Sequence, residues 1–182
     1  MGGRMGIITN SIPTWLAGAL QREFDISTFV ETGLGQGTSA LWAERNFYTC
    51  ISIEIDPALV RSFRVLHPSS AVEILTGDSG TELAGEVENI ILLPILFWLD
   101  GHTDDYCPVM AEIGAINASP FRHIILIDDA RLFGTMAAWP TREQVYSALE
   151  AGGRRVVFDV DDVLVAVPLV MAGRVGRIIE RH

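Results

Sequence analysis

Acidic residues follow two apolar segments of the chain, at positions where their side chains are able to act together. Asp100 follows one apolar run and His102 comes two residues later, while Asp128 and Asp129 follow another. Carboxylates held close together repel one another unless a cation lies among them. Oxygen ligands in a partly hydrated site suit Mg²⁺ or a similar hard cation. A histidine beside them can accept a proton at neutral pH, since its unperturbed pKa is about 6.5. These residue types indicate metal-assisted chemistry with a general base.

An earlier glycine-rich segment has the composition of a nucleotide-binding loop. Gly33, Gly35 and Gly37 stand at alternate positions, Glu31 precedes the first of them by two residues, and Thr38 opens an amphipathic stretch. Alternate glycines permit a tight turn with positive φ, and the following helix N-terminus offers free N–H groups. The segment predicts a strand, a ligand-binding turn and a helix start. A tight turn that binds nothing is the alternative.

The spacing Glu31-x-Gly33-x-Gly35-x-Gly37 resembles motif I of the class I S-adenosylmethionine-dependent methyltransferases. A dinucleotide fingerprint has G-x-G-x-x-G instead. In the methyltransferase family the acidic residue leads the loop, and the glycines face the methionine and ribose parts of the cofactor. The resemblance therefore implies that these four residues bind S-adenosylmethionine.

Residues after the second and third apolar segments complete the expected cofactor site. Glu54 stands about twenty residues after Gly33, where an acidic side chain can accept hydrogen bonds from both ribose hydroxyls. A solvated residue at a strand end is the alternative for Glu54. The methyltransferase resemblance places Asp78 and Ser79 against the adenine amino group. Either residue is also a good helix N-cap, and the two roles are compatible.

The Asp100-x-His102 sequence with the later Asp128-Asp129 pair resembles the metal site of cation-dependent O-methyltransferases of the catechol and antibiotic-sugar types. The catechol type usually has Asn as its third ligand and a lysine as its base, whereas this chain has Asp129 and no lysine. It is closer to the antibiotic-sugar branch, whose pattern is Asp-Gly-Asp followed later by Asp-Asp and whose second acid is the proposed base. His102 stands at the position of that acid. The resemblance implies that Asp100, Asp128 and Asp129 hold Mg²⁺, or Mn²⁺ or another divalent cation, and that Asp100 and His102 are catalytic.

Together these features predict an S-adenosylmethionine- and Mg²⁺-dependent O-methyltransferase. The expected acceptor is a hydroxyl of a small molecule with neighbouring hydroxyls, such as a sugar or a catechol-like ring. Two other classes stay open: a nucleotide-binding module without catalysis, and a nicotinamide oxidoreductase, which the glycine spacing disfavours. Each residue of the acidic cluster also has a simpler interpretation. The alternatives are a turn cap for Asp128 or Asp129, a plain strand end for Asp100, and a loop residue or fourth metal ligand for His102.

Alternating strand-like and helix-like segments must position these residues. The alternation predicts a doubly wound, Rossmann-like α/β fold with seven mostly parallel strands and helices on both faces. Ligands of such sheets bind beyond the carboxyl ends of the strands, so the loop and the acids are expected at one edge. Only Val160-Asp161-Asp162 joins the last two strands, which predicts an antiparallel hairpin. Strands are predicted over Ser27–Glu31, Thr49–Glu54, Ala71–Thr76, Ile95–Asp100, His123–Asp128, Arg155–Asp159 and Val163–Pro168. Helices are predicted over Pro13–Arg22, Thr38–Arg45, Pro57–Leu66, Ser79–Ile90, Cys107–Ile116 and Thr141–Ala151.

Composition bounds the class of protein. A chain of 182 residues is the size of a single domain, here with an N-terminal helix near 11–22 and a core near 26–170. The net charge of -10 opposes binding to nucleic acid. The longest apolar run, Ile90–Leu99, contains Pro94 and is too short to cross a bilayer, and the N-terminus lacks a signal-peptide layout. Two cysteines, Cys50 and Cys107, make no disulfide framework and suit a cytoplasmic protein. The hydrophobic content of 49% leaves room for a homodimer interface.

Overall fold

The computed structural model describes residues 11–89, 94–152 and 155–182. Seven strands form one sheet in the order β3-β2-β1-β4-β5-β7-β6. The strands β1 to β5 are parallel, and β7 runs antiparallel to both β5 and β6. Their bounds are β1 Thr28–Thr32, β2 Thr49–Glu54, β3 Glu73–Thr76, β4 Ile95–Leu99, β5 Ile124–Ile127, β6 Arg155–Val160 and β7 Val163–Pro168. The predicted doubly wound fold and the C-terminal hairpin are confirmed.

Seven α-helices and one short 3₁₀ helix precede, connect or follow these strands within the described residues. The helices are α1 Thr14–Phe24, α2 Thr38–Ala43, α3 Pro57–Leu66, α4 Ser79–Asn89, α5 Val109–Ala118, α6 Arg142–Ala151 and α7 Leu169–Glu180, and the 3₁₀ helix is Ala130–Leu132. None of the described helices has the length and apolar character needed to cross a membrane.

Local sequence signals explain where two of the helices begin. The Asp56 carboxylate accepts a hydrogen bond of 2.7 Å from the Ala58 amide, and Pro57 occupies the first helical position of α3. Proline suits that position because its amide would have no partner there. At the start of α6, Thr141 and Gln144 form a reciprocal capping box.

The central strand β4 shows why the sheet is stable. All five of its residues are buried, and successive side chains of a strand point to opposite faces. Phe97 belongs to a buried cluster with Ile113 of α5, and Trp98 belongs to a second cluster with Leu16 of α1. Burying a side chain the size of Phe97 contributes roughly 1.5–3 kcal/mol. Helices therefore cover both faces, as the continuous apolar sequence of the strand predicts.

One helix is missing from the sequence-based prediction. The prediction ended the core near residue 170, but α7 continues to Glu180. Val175 of α7 is buried in the same cluster as Leu16 of α1, so packing against the sheet and α1 stabilises this helix despite its two glycines. The other predicted bounds agree with the structure to within two residues. Residue Ile90, the predicted end of α4, lies outside the described residues, as does the beginning of the run Ile90–Leu99.

Candidate functional site

The carboxyl ends of the parallel strands surround one large cavity. Its volume is about 830 Å³. The pairing of Leu99 with Thr32 on one side and with Ile127 on the other brings the ends of β1, β4 and β5 to the same edge of the sheet. Most of the predicted site residues line the cavity, namely Gly33, Gly35, Glu54, Asp78, Ser79, Asp100, His102, Asp128 and Asp129. Glu31 and Gly37 are not among the lining residues.

Each of the three loop positions is occupied by glycine for a different structural reason. Gly33 has a φ of 82°, and a Cβ atom there would overlap the carbonyl oxygen of Asp100, so the loop can cross the end of β4 only with glycine. Gly37 has a φ of 79°, and its Cβ would overlap the ring of Phe63. Gly35 has a φ of 52° and open space where its Cβ would be. Gly35 therefore presents bare backbone to the cavity, whereas Gly37 serves packing.

Glu54 ties the glycine loop to the end of β2. Its Oε2 accepts a hydrogen bond of 3.1 Å from the Gly35 amide, and its Oε1 accepts one of 2.9 Å from the Asp56 amide. The residue is buried and still lines the cavity. These bonds hold the carboxylate in one position beside the loop.

Hydrogen bonds fix the side chains of Asp78 and Ser79 in the lining of the cavity. Asp78 Oδ1 accepts hydrogen bonds from the Gly80 amide at 3.0 Å and from the Tyr106 hydroxyl at 2.7 Å. Ser79 donates its hydroxyl to Glu112 of α5 at 2.7 Å. Burial raises the pKa of Glu112 to about 7, although the Ser79 hydroxyl opposes the shift. The bond to Gly80 is of the kind that caps a helix, so the capping role is observed for Asp78.

Glu31 lies behind the loop and not in the cavity. It is buried in β1, its Oε1 accepts a hydrogen bond of 2.7 Å from the Ser52 hydroxyl, and its Oε2 has no partner. Loss of hydration raises the pKa of Glu31 to about 8; the Ser52 hydroxyl opposes the shift, and the charges of Asp100 and Glu54 add to it. Near neutral pH this side chain is therefore a neutral acid.

His102 lies between two of the predicted acids. Its Nε2 is 3.1 Å from Asp129 Oδ2 and 3.7 Å from Asp100 Oδ1. Burial lowers the pKa of His102, and the hydrogen bond with Asp129 only partly offsets this. Loss of hydration, followed by the charges of Asp128 and Asp129, raises the pKa of Asp100 to about 8. The ring of Trp139 meets the His102 ring edge-on at 4.3 Å between centroids.

The acids with the best geometry for a cation are Asp128, Asp129 and Asp162. One carboxylate oxygen from each lies within 4.8 Å of the others. This group contains Asp162 in place of Asp100, which the sequence had predicted together with Asp128 and Asp129. Asp129 has a φ of 53°, a left-handed conformation that is uncommon outside glycine. The Arg131 guanidinium contacts both Asp129 and Asp162.

Asp162 is the site residue that sequence reasoning missed. Asp162 lies in the turn between β6 and β7, which the sequence marked only as a short hairpin link. The pairing of Leu164 with Ile127 brings that turn beside the end of β5. An antiparallel last strand starts at the edge where parallel strands end, so the acids in this turn were a usable signal.

No family model matches the chain, and no curated protein matches it in sequence. Solved structures do match its fold. An O-methyltransferase from Bacillus cereus in complex with S-adenosylhomocysteine (SAH) has 16% identity and a TM-score of 0.65, covering 86% of this chain and 81% of that one. CalS10, an amino pentose methyltransferase from Micromonospora echinaspora bound to S-adenosylmethionine, has 14% identity, a TM-score of 0.61 and coverages of 85% and 88%. Aeropyrum pernix fibrillarin with bound S-adenosylmethionine has 14% identity, a TM-score of 0.56 and coverages of 84% and 74%. The chain thus has the fold of the class I S-adenosylmethionine-dependent methyltransferases.

Proposed function

We propose that this chain is an S-adenosylmethionine- and Mg²⁺-dependent O-methyltransferase that acts on a hydroxyl of a small molecule. The observation that carries the proposal is the continuity of the cavity. Gly33, Gly35 and Glu54 line one part of it, and Asp100 and His102 line another. A volume of about 830 Å³ lies within the range of small-molecule sites and leaves room for a cofactor together with a small acceptor.

The part of the cavity lined by Gly33, Gly35 and Glu54, here called the donor half, fits a ribose-containing cofactor. Glu54 uses one acceptor position on each oxygen for the amides of Gly35 and Asp56, and a carboxylate has about four such positions. The two that remain suit a pair of ribose hydroxyls. The open space at Gly35 allows a ligand to approach the backbone closely. Asp78 and Ser79 supply polar groups further along the same cavity, where an adenine amino group is expected.

The part of the cavity around the clustered acids, here called the acceptor half, has ligand atoms that suit a hard divalent cation. Asp128, Asp129 and Asp162 offer carboxylate oxygens within 4.8 Å of one another, which is the ligand type that Mg²⁺ and Mn²⁺ prefer. When bound, such a cation lowers the pKa of a hydroxyl on the acceptor and fixes its direction. Asp100 is the neighbouring acid, placed next to His102.

His102 is suited to take the proton that the acceptor loses. Its lowered pKa leaves the ring neutral at neutral pH. Since the Asp129 carboxylate only accepts hydrogen bonds, Nε2 carries the ring hydrogen and Nδ1 keeps its lone pair. The hydroxyl oxygen forms a bond to the methyl carbon while the carbon–sulfur bond breaks, and the hydroxyl proton passes to Nδ1. The products are the methyl ether and SAH.

A small acceptor agrees with the charge of the chain better than a nucleic acid does. The net charge is -10, and the cavity lining contains many more carboxylates than basic groups. Phosphate backbones are repelled by such a surface. The name of the Bacillus cereus O-methyltransferase supports methyl transfer to oxygen, and that of CalS10, an amino pentose methyltransferase, supports a sugar acceptor.

Calorimetric titration with SAH tests the proposal. The wild-type chain is expected to bind one SAH, and Glu54→Gln is expected to weaken binding by about tenfold or more because a charge-assisted pair of ribose bonds is lost. Glu73→Gln is the matched control, since Glu73 is an exposed residue of β3 that does not line this cavity. Absence of SAH binding by the wild type, or equal affinity in the Glu54→Gln variant, would overturn the cofactor assignment.

A further inference from the structure

Arg131 forms ion pairs with two of the acids of the proposed cation site. Its Nη1 is 2.5 Å from Asp129 Oδ1 and also contacts Asp162 Oδ2. These two residues supply two of the three carboxylates grouped at the proposed cation site. The side chain is 45% exposed, so it can leave without unpacking the core.

Two hydrogen bonds hold Asp162 to residues 130–131 independently of that ion pair. Asp162 Oδ1 accepts a hydrogen bond of 2.9 Å from the Arg131 amide, and the Asp162 carbonyl accepts one of 2.9 Å from the Ala130 amide. The turn between β6 and β7 therefore stays attached to the end of β5 even when the guanidinium moves away. Asp162 remains beside Asp129 in either case.

Every carboxylate oxygen of Asp129 and Asp162 thus has one partner while the guanidinium is in place. Asp129 Oδ2 interacts with His102 Nε2 and its Oδ1 with Arg131. Both oxygens of Asp162 interact with Arg131, one through the amide and one through the guanidinium. While the guanidinium remains, it repels a second positive charge at these oxygens and so weakens cation binding.

We propose that Arg131 is a displaceable counter-ion that competes with the divalent cation for Asp129 and Asp162, and so sets the cation affinity of the site. This inference rests on the proposed function. In the cation-free protein, Arg131 offsets the repulsion among the acids. On cation binding, the guanidinium leaves both carboxylates and moves into solvent, and Asp162 becomes a ligand.

Binding of Mn²⁺ alone to the full chain tests this competition, with free Mn²⁺ measured by electron paramagnetic resonance. Arg131→Gln is expected to bind Mn²⁺ about tenfold more tightly than the wild type, since two ion pairs no longer have to be broken. Arg174→Gln is the matched control. Arg174 is a similarly exposed arginine, paired with Glu23 on α7 and α1, so its loss changes the net charge equally without touching the cavity.

Further measurements separate the possible outcomes. Adding Asp162→Asn to the Arg131→Gln variant is expected to reverse most of the gain in Mn²⁺ affinity. Thermal denaturation in EDTA is expected to show lower stability for Arg131→Gln, with a larger rise in stability on adding Mn²⁺ than in the wild type.

Equal or weaker Mn²⁺ binding by Arg131→Gln would overturn the role of Arg131 and leave the proposed function standing. If no variant bound Mn²⁺ at millimolar concentration, both the cation requirement and the competition would be overturned, while SAH titration of the same samples tests the cofactor separately.

Discussion

Replacing Glu31 by Gln is expected to stabilise the protein progressively as the pH rises. The Glu31 carboxyl is buried in β1, one of its oxygens has no hydrogen-bond partner, and its pKa is raised to about 8. Gln keeps the shape and the hydrogen bond with Ser52 but carries no proton to lose. The variant therefore imitates the protonated form of the wild type at every pH.

The direction in which the stability of the wild type changes with pH follows from the pKa of Glu31 in the folded and unfolded states. The folded-state pKa of about 8 lies above the value of 4.5 in the unfolded chain. Between these values the folded state binds more protons, so the free energy of unfolding of the wild type falls as the pH rises. The full difference of about 3.5 units corresponds to a ceiling of about 4–5 kcal/mol. Glu31→Gln avoids that loss, so its advantage is small near pH 5 and approaches the ceiling above pH 8.

Urea denaturation in EDTA, at several pH values from about 5.5 to about 9, measures this difference. The wild type is expected to lose stability across the range more steeply than Glu31→Gln. Glu73→Gln serves as the control, because that exposed residue of β3 should leave the slope unchanged. Parallel curves for the wild type and Glu31→Gln would show that the pKa of Glu31 is not raised in the folded state.

The remaining predictions concern the loop, a buried network and the base. Gly33→Ala is expected to lower the free energy of unfolding by more than about 3 kcal/mol through backbone strain and steric overlap, whereas Gly35→Ala should cost about 1–2 kcal/mol and mainly weaken SAH binding. Denaturation and calorimetry distinguish the two, and equal stability losses would contradict the packing difference. Ser79→Ala is expected to cost about 1–3 kcal/mol in urea denaturation, because buried Glu112 loses a donor; unchanged stability would argue against that bond. His102→Gln is expected to lower kcat by about 10²–10⁴-fold with unchanged SAH affinity, and an unaltered kcat would exclude His102 as the base.

The sequence was sufficient to predict the sheet and the end at which the site lies. Strands such as β4 are apolar at every position, and the residues after them are polar, so the edge carrying Asp100, Asp128 and Glu54 was evident. Parallel strands in such a sheet place these ends together. The burial of Glu31 behind the loop was not predictable in the same way. Its burial depends on the pairing of β1 with strands on both sides and not on its place in the loop motif.

The missed features all depend on contacts between distant segments. Helix α7 contains Gly173 and Gly176, which weaken helix propensity, and it forms against a surface that exists only in the folded chain. Asp162 reaches the site because β7 pairs with β5 in an antiparallel register. Arg131 is recognised as part of the site only when Asp129 and Asp162 are seen on either side of it.

The proposed function requires that the donor half and the acceptor half of the cavity bind their ligands side by side. Paramagnetic relaxation of bound SAH by Mn²⁺ measures this proximity, because the effect falls off steeply with the distance between the metal and the SAH protons. Mn²⁺ is expected to increase the relaxation rates of SAH protons strongly in the wild type and to have little effect in a variant carrying Asp128→Asn and Asp129→Asn that still binds SAH. Tight binding of both ligands with no increase in SAH relaxation would mean that they bind at separate sites.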